Sequence, residues 1–399
     1  MESYYLDWAN LLLRWVHVIT ALAWIGSSFY FVFLDSSLTP AQDEDLQKQG
    51  VTGELWAVHG GGFYHPVKFN VSPPELPNQL HWFYWEGYST WLSGFSLFTV
   101  SYLWSASTYL IDKSLMDWAP GTAIAVALSF LVLFWLLYDL ICRVFGQRRH
   151  GEAIVGALVF ALVCLAAWAA CHWFAGRAAF LLVGAMLATS MSANVLFWII
   201  PGQKKVVAQI KAGAPVDAIH GKRGKQRSVH NTYFTLPVLF AMLSGHYSFT
   251  YSHPKNWLVL ILMMFAGAAI RQFFVMRHGY KLGRNGNPLI YALAGVAVIV
   301  ALIVLLRPEP SAPGPVTAGT PGYKDLQPVL AQRCYLCHGE KVQMKNVRLD
   351  SAPYVKAYAQ YLYQQAVVLK LMPMNNATGI TDAERLLIKQ WFESGARTD

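Results

Sequence analysis

Eight apolar runs, each near the roughly 20 residues that cross a bilayer as a helix, constrain this chain more than any other feature. They fall at approximately 9–34, 84–111, 119–144, 152–173, 178–201, 232–250, 255–276 and 289–307. Hydrophobic residues fill 55% of the 399 positions and charged residues only 13%, against about a quarter charged in a soluble globular chain. The expected fold is therefore all-α, a polytopic membrane helix bundle over 1–307 whose first partner is the lipid bilayer. The first run is too long for a signal-peptide core and lacks a small-residue cleavage pattern, so it counts as a span.

A net charge of +9 raises the question of nucleic acid. The basic residues, however, sit in short segments between apolar runs, where Lys and Arg mark cytoplasmic sides, so no nucleic-acid partner is expected. Segment 202–230 carries Lys204, Lys205, Lys211, Lys222, Arg223, Lys225 and Arg227; 145–151 has Arg148 and Arg149; 277–288 has Arg277, Lys281 and Arg284. Counting spans outward from these puts the N-terminus and everything after the eighth span on the outer, periplasmic face of a bacterial cytoplasmic membrane. The long 36–83 segment then lies inside.

After the eighth run, Pro308-Glu309-Pro310-Ser311-Ala312-Pro313-Gly314-Pro315 cannot hold a regular helix and reads as a semi-rigid linker over 308–321. A soluble domain follows over 322–399. It contains Cys334-Tyr335-Leu336-Cys337-His338, in which two thiols three positions apart can each form a thioether to a porphyrin vinyl group while the adjacent imidazole reaches the iron. A zinc site would need a second ligand pair, and a thioredoxin-like pair a βαβ setting. Cys142, Cys164 and Cys171 lie in apolar stretches and supply neither. Tyr323 to Arg333 reads as a helix leading into the cysteines, and Thr381-Asp382-Ala383-Glu384 as a capping box opening a helix through about Ser394. Leu386, Leu387, Ile388, Trp391 and Phe392 give that helix its apolar bulk. The domain looks like a small class I cytochrome c holding covalent haem c. Such domains take a second axial ligand from a methionine followed by proline, which is Met372 here; Met374 and Met344 are the alternatives.

Ionisable residues inside spans are costly and therefore default functional candidates. Toward the outer side stand His17 and His246, able to hold a haem b through two axial positions; a packing role is the alternative. If substrate is oxidised on the cytoplasmic side, electrons must cross about 30 Å of hydrocarbon, which calls for such an intermediate. In the inner half lie Glu86, Asn194, His230, Asn231, Arg271 and Gln272, with His59, His65 and His81 in the neighbouring loop. This set suits a flat, weakly acidic heterocycle: Arg271 donates as a fork, Gln272 and Asn194 donate and accept, and Glu86 or His230 takes a proton. Arg271 could instead pair with Glu86 or Asp139. His59-Gly60-Gly61-Gly62 resembles an esterase oxyanion loop, but no Gly-x-Ser-x-Gly accompanies it; its glycines are expected to permit a tight backbone approach, and His59 and His65 to contact a cofactor or metal.

Five blocks, HVITALAWIGSSFYFVFLD (17–35), WAVHGGGFYHPVK (56–68), LHWFYWEGYSTWLSGF (80–95), HNTYFTLPVLFAMLSGHY (230–247) and LMPMNNATGITDAE (371–384), together resemble the bacterial membrane-bound urate oxidases, or urate hydroxylases, that carry a C-terminal cytochrome c. The resemblance covers nearly the whole chain. It implies conversion of urate to 5-hydroxyisourate with water supplying the oxygen, electrons leaving through the attached cytochrome c to a downstream cytochrome or terminal oxidase. A non-catalytic cytochrome c subunit of a respiratory complex is the competing reading, and the polar inner cluster, which a passive carrier does not need, argues against it.

Overall fold

The computed structural model describes residues 2–69, 72–307, 319, 321–340 and 342–398. The linker expected over 308–321 falls almost wholly outside them. Each of the eight apolar runs coincides with helix: α1 (Glu2–Ser37), α2 (Trp85–Phe98), α3 (Pro120–Phe145), α4 (Gly151–Trp173), α5 (Gly176–Lys211), α6 (Ala218–Leu243), α7 (Asn256–Lys281) and α8 (Leu289–Leu305). Five of them, α1, α3, α4, α5 and α7, are long and apolar enough to cross a membrane by length and composition. The run at 84–111 is not one rod: α2 passes through a π turn at Thr99–Leu103 and ends in the short helix Ala106–Tyr109.

Helix α3 shows why these segments suit lipid. Its buried face is Ala123, Ala127, Leu131, Phe134, Tyr138 and Cys142, steps of three and four that make one helical stripe. The opposite face is Val132, Leu133, Leu136, Leu137 and Leu140, all exposed. A helix apolar all round needs a buried or membrane setting. α5 is the central helix, packed on α3, α4 and α6; α7 contacts α6 and α8, and α1 lies against α2 and α7.

Successive helices run up and down. At one end of the bundle Ala175 N–H donates to the Leu110 carbonyl and Trp118 Nε1 to the Trp173 carbonyl. At the other, Gln226 Nε2 donates to the Gly146 carbonyl and Arg143 and Arg223 stack on Trp198. Most of segment 202–230 is helical, since α5 continues to Lys211 and α6 begins at Ala218 rather than at 232. Arg227, counted above among the loop cations, is buried and ion-paired to Asp139 at 2.7 Å.

The expectation of a wholly helical chain needs one correction. Segment 38–83 holds four short strands, β1 (Val51–Glu54), β2 (Ala57–His59), β3 (Gly62–Tyr64) and β4 (Val67–Phe69), paired antiparallel as β1 with β4 and β2 with β3. His59 pairs with Gly62 across a two-residue turn in which Gly60 and Gly61 have φ of 60° and 80°, the left-handed geometry of a type I′ hairpin.

A second hydrophobic core, separate from that of the bundle, is built from residues 323–396 around Leu326, Leu330, Ile388 and Trp391. Its helices are α9 (Tyr323–Arg333) and α10 (Asp382–Glu393), joined by the Arg333–Glu384 ion pair at 3.1 Å. The capping box closes as its sequence requires: Glu384 N–H donates to Thr381 Oγ1 and Thr381 N–H to Glu384 Oε2. Leu386, expected to pack, is half-exposed. The turn Met374–Asn376 rests against Ala106–Tyr109, at the bundle end opposite Arg143 and Arg223.

Candidate functional site

The Cys-x-x-Cys-His stretch forms a single turn, Tyr335–His338, after α9. Its cysteines are free thiols. Burial pushes the Cys334 thiol up to about 12, the opposite of the lowered value that thiol exchange needs. His338 Nδ1 lies 3.2 Å from the Val347 carbonyl. A ring nitrogen facing a carbonyl must donate, so the proton sits on Nδ1 and Nε2 keeps its lone pair, as an iron-ligating imidazole requires. These residues fit a covalent haem.

Met372 lies in the loop before α10, held at both ends of its peptide unit: its N–H donates to the Gln365 carbonyl at 3.0 Å and its carbonyl accepts from Arg385 Nη1 at 3.0 Å. Arg385 also donates to the Ala366 carbonyl and is buried. Sequence reading missed this arginine; its position one residue after the capping-box Glu384 was the available signal. Met374 belongs to the turn against the bundle, and Met344 is exposed. Arg385→Leu should leave covalent haem in place on a denaturing gel yet weaken the methionine-to-iron band at the red end of the ferric spectrum and lower the reduction potential. An unchanged spectrum would show that Arg385 does not position the ligand.

His17 shares the tautomer of His338. Its Nδ1 faces the Thr90 carbonyl of α2 at 3.1 Å and Ser93 Oγ at 3.2 Å, and Nε2 has no hydrogen-bond partner among the described residues. The ring is seated on Gly94, where an added Cβ would come within 2.7 Å of His17 Cε1. His246 lies in the turn Ser244–His246 that ends α6 and is exposed.

The expected inner cluster divides. Asn194 Nδ2 donates to Asn231 Oδ1 and lies 2.9 Å from Tyr138 Oη, which is 2.8 Å from His230 Nδ1; Asn231 Nδ2 donates to the Met191 carbonyl. A π turn, Val195–Ile199, directly follows Asn194, a distortion frequent at functional positions. Gln272 accepts a hydrogen bond from Tyr233, one helical turn beyond His230. Asp139, offered above as a partner for Arg271, is taken by Arg227, Arg143 at 2.6 Å and Trp198 Nε1 at 2.7 Å.

Arg271 is 6% exposed and its guanidinium stands 3.9 Å over the Phe29 ring of α1. Among the described residues its Nε and Nη2 have no hydrogen-bond partner, nor has Glu86 Oε2, and all three atoms are buried. Gly87, beside Glu86, packs on Trp24 of α1. Arg271 on α7 and Gly87 on α2 thus each pack on α1, at Phe29 and Trp24. An unpaired buried charge-bearing group costs more than the about 1–3 kcal/mol of a neutral one, which sets Arg271 apart from the paired Arg227.

The loop histidines do not join these groups. His65 Nε2 meets Glu54 Oε2 at 2.6 Å and its ring stacks on Trp56 at 4.0 Å; together with the Gln42 amide it holds the Glu54 carboxyl below the usual range. His59 is exposed at the hairpin turn, and His81 is exposed with its ring edge against Phe83. Gly60 and Gly61 serve the turn and approach nothing, since a Cβ on either would find no atom within 4 Å. Among the described residues, no group of three or more His, Cys, Asp or Glu side chains gathers as a metal site.

These features define a mostly helical protein with several apolar helices suited to lipid and a buried arginine, Arg271, with two unpartnered nitrogens. The chain belongs to the family described as urate oxidase, N-terminal, whose model matches residues 3–307, and is a urate oxidase-related protein. No curated protein and no solved structure matches it.

Proposed function

We propose that this protein is a membrane-bound urate oxidase, or hydroxylase, of the bacterial cytoplasmic membrane. Urate and water give 5-hydroxyisourate, two protons and two electrons, the electrons leaving through a C-terminal cytochrome c domain over 322–399. With all eight apolar helices taken as spans, the N-terminus and that domain lie in the periplasm, where a downstream cytochrome or terminal oxidase collects the electrons. The observation that carries this reading is Arg271, a buried guanidinium with two unpartnered nitrogens in a chain of the urate oxidase N-terminal family.

Urate is flat, weakly acidic and rich in carbonyl and ring-nitrogen acceptors. Arg271 Nε and Nη2 donate to its anionic edge as a fork, Phe29 fixes the guanidinium plane from behind, and Glu86 Oε2 takes a proton from the incoming water or the ring. Gln272, oriented by Tyr233, adds an acceptor for a ring N–H group.

Haem supplies one-electron carriage where it is bound. Cys334 and Cys337 would hold it covalently, with His338 and Met372 as the residues that would ligate its iron. His17 and His246 would hold a haem b. Along α1, His17 lies twelve residues, about 18 Å, from Phe29 toward the end where the Met374–Asn376 turn rests, so it stands between the substrate arginine and the cytochrome domain. Gly94→Val would push the imidazole off α2 and should remove acid-acetone-extractable haem while covalent haem persists; retention of extractable haem would take His17 out of that role.

Turnover in H218O with oxygen excluded and a soluble acceptor such as ferricyanide tests the reaction itself. The label should appear in the product. A requirement for dioxygen, with hydrogen peroxide formed, would contradict the proposal.

A further inference from the structure

We infer that a cavity between α4, α6 and α7 binds a lipid-soluble quinone, one ring carbonyl of which accepts a hydrogen bond from His230 Nε2–H. The cavity measures about 300 Å3, at the low end of small-molecule sites. Its walls are almost wholly apolar, including Val159, Val163, Leu187, Phe234 and Met264. Phe160 and Phe265, both exposed and packed edge to face at 6.0 Å, also line it, on the outward apolar surface that suits lipid. An occupant can therefore enter sideways from the hydrocarbon.

His230 faces this space, and the bonds behind it fix which nitrogen carries its proton. The Met191 carbonyl can only accept, so the group bonded to it must be the Asn231 amide nitrogen. The Asn231 oxygen is thereby turned to Asn194, which must present its own nitrogen. That nitrogen gives its second hydrogen to Tyr138 Oη. The Tyr138 hydroxyl hydrogen then goes to His230 Nδ1, 2.8 Å away. Nδ1 being an acceptor, the neutral ring carries its proton on Nε2.

The result is a donor with fixed polarity in a hydrocarbon wall. It cannot ligate iron through Nε2, so the cavity is not a second haem pocket, in contrast to His17. An acyl chain would leave the donor unsatisfied, and urate would strand most of its polar edge against Val, Leu and Phe, at several kcal/mol by transfer scales. A quinone meets both demands, since its ring is apolar and flat, its carbonyls accept, and its isoprenoid tail can leave past Phe160 and Phe265. Pro237, on the same wall, has no N–H for the Tyr233 carbonyl one turn earlier, which leaves an acceptor for a hydroxyl of the reduced ring.

Binding of decylubiquinone to the purified full-length protein in detergent, followed by quenching of tryptophan fluorescence, tests this without reference to urate. Gly156 lines the cavity, and a Cβ there meets nothing within 4 Å, so Gly156→Leu adds bulk at the cavity wall with no clash at Cβ. Saturable binding is expected in the unaltered protein. It should be lost in Gly156→Leu at unchanged melting temperature and covalent haem content, and weakened up to about tenfold in His230→Phe, the scale of one hydrogen bond. No saturable binding, or equal binding in Gly156→Leu, overturns the site. Loss in Gly156→Leu with full retention in His230→Phe overturns the quinone and leaves an apolar occupant.

Discussion

Replacing Cys334 and Cys337 together by serine is expected to abolish the haem-stained band on a denaturing gel and, with it, all urate-driven electron transfer to the C-terminal domain. The effect is total because a serine hydroxyl forms no thioether with a vinyl group and the sequence holds no other pair of cysteines three positions apart. Cys142 and Cys171 are buried in the bundle core, and Cys164 lies within α4. The C-terminal core itself does not depend on the thiols, being centred on Leu326, Leu330, Ile388 and Trp391. The double variant should therefore still insert and accumulate. A stained band that persists would move haem attachment elsewhere.

The second large effect is expected at Arg271. In the proposed site Arg271 would meet the urate anion through a charge-assisted hydrogen-bonded fork, and hydrogen bonds to charged groups contribute about 1.5–3 kcal/mol. Arg271→Ala should thus lower kcat/KM for urate by roughly 10- to 150-fold, with haem content unchanged. Arg271→Lys keeps the charge but not the planar fork, and should recover only part of the loss. Because no acidic side chain among the described residues pairs with Arg271, removing it leaves no stranded carboxylate, and the melting temperature should not fall. A full loss of activity accompanied by unfolding would indicate a structural role. Unchanged kinetics would place the anion site away from α1.

Much of this was readable before the fold was known, and the failures share a cause. Apolar runs located all eight helices because hydropathy over 20 residues is a local property, and the capping box at Thr381–Glu384 and the turn at Cys334–His338 are local too. The start of α6 was misplaced because Lys222, Arg223, Lys225 and Arg227 read as loop; a helix that projects beyond the apolar zone is no less helical for being charged. Arg227 looked like a surface cation since its partner Asp139 lies 88 residues away. The carbonyl that meets His17 Nδ1 belongs to Thr90, 73 residues away on α2, beyond the reach of any local pattern. The glycines after His59 suggested close packing, yet they answer to backbone φ in a hairpin. Tyr138 went unnoticed altogether, because nothing in an apolar run distinguishes a tyrosine that orients a histidine from one that fills space.

The central claim is that electrons from urate reach a haem held by Cys334, Cys337 and His338. Its most direct test is the absorption spectrum of the oxidised, detergent-solubilised protein on adding urate under strict exclusion of oxygen, with dithionite added afterwards to define full reduction. The ferrous c-type spectrum should develop with urate alone, and more slowly in Arg271→Ala. A covalent haem that dithionite reduces fully but urate leaves ferric would contradict the account.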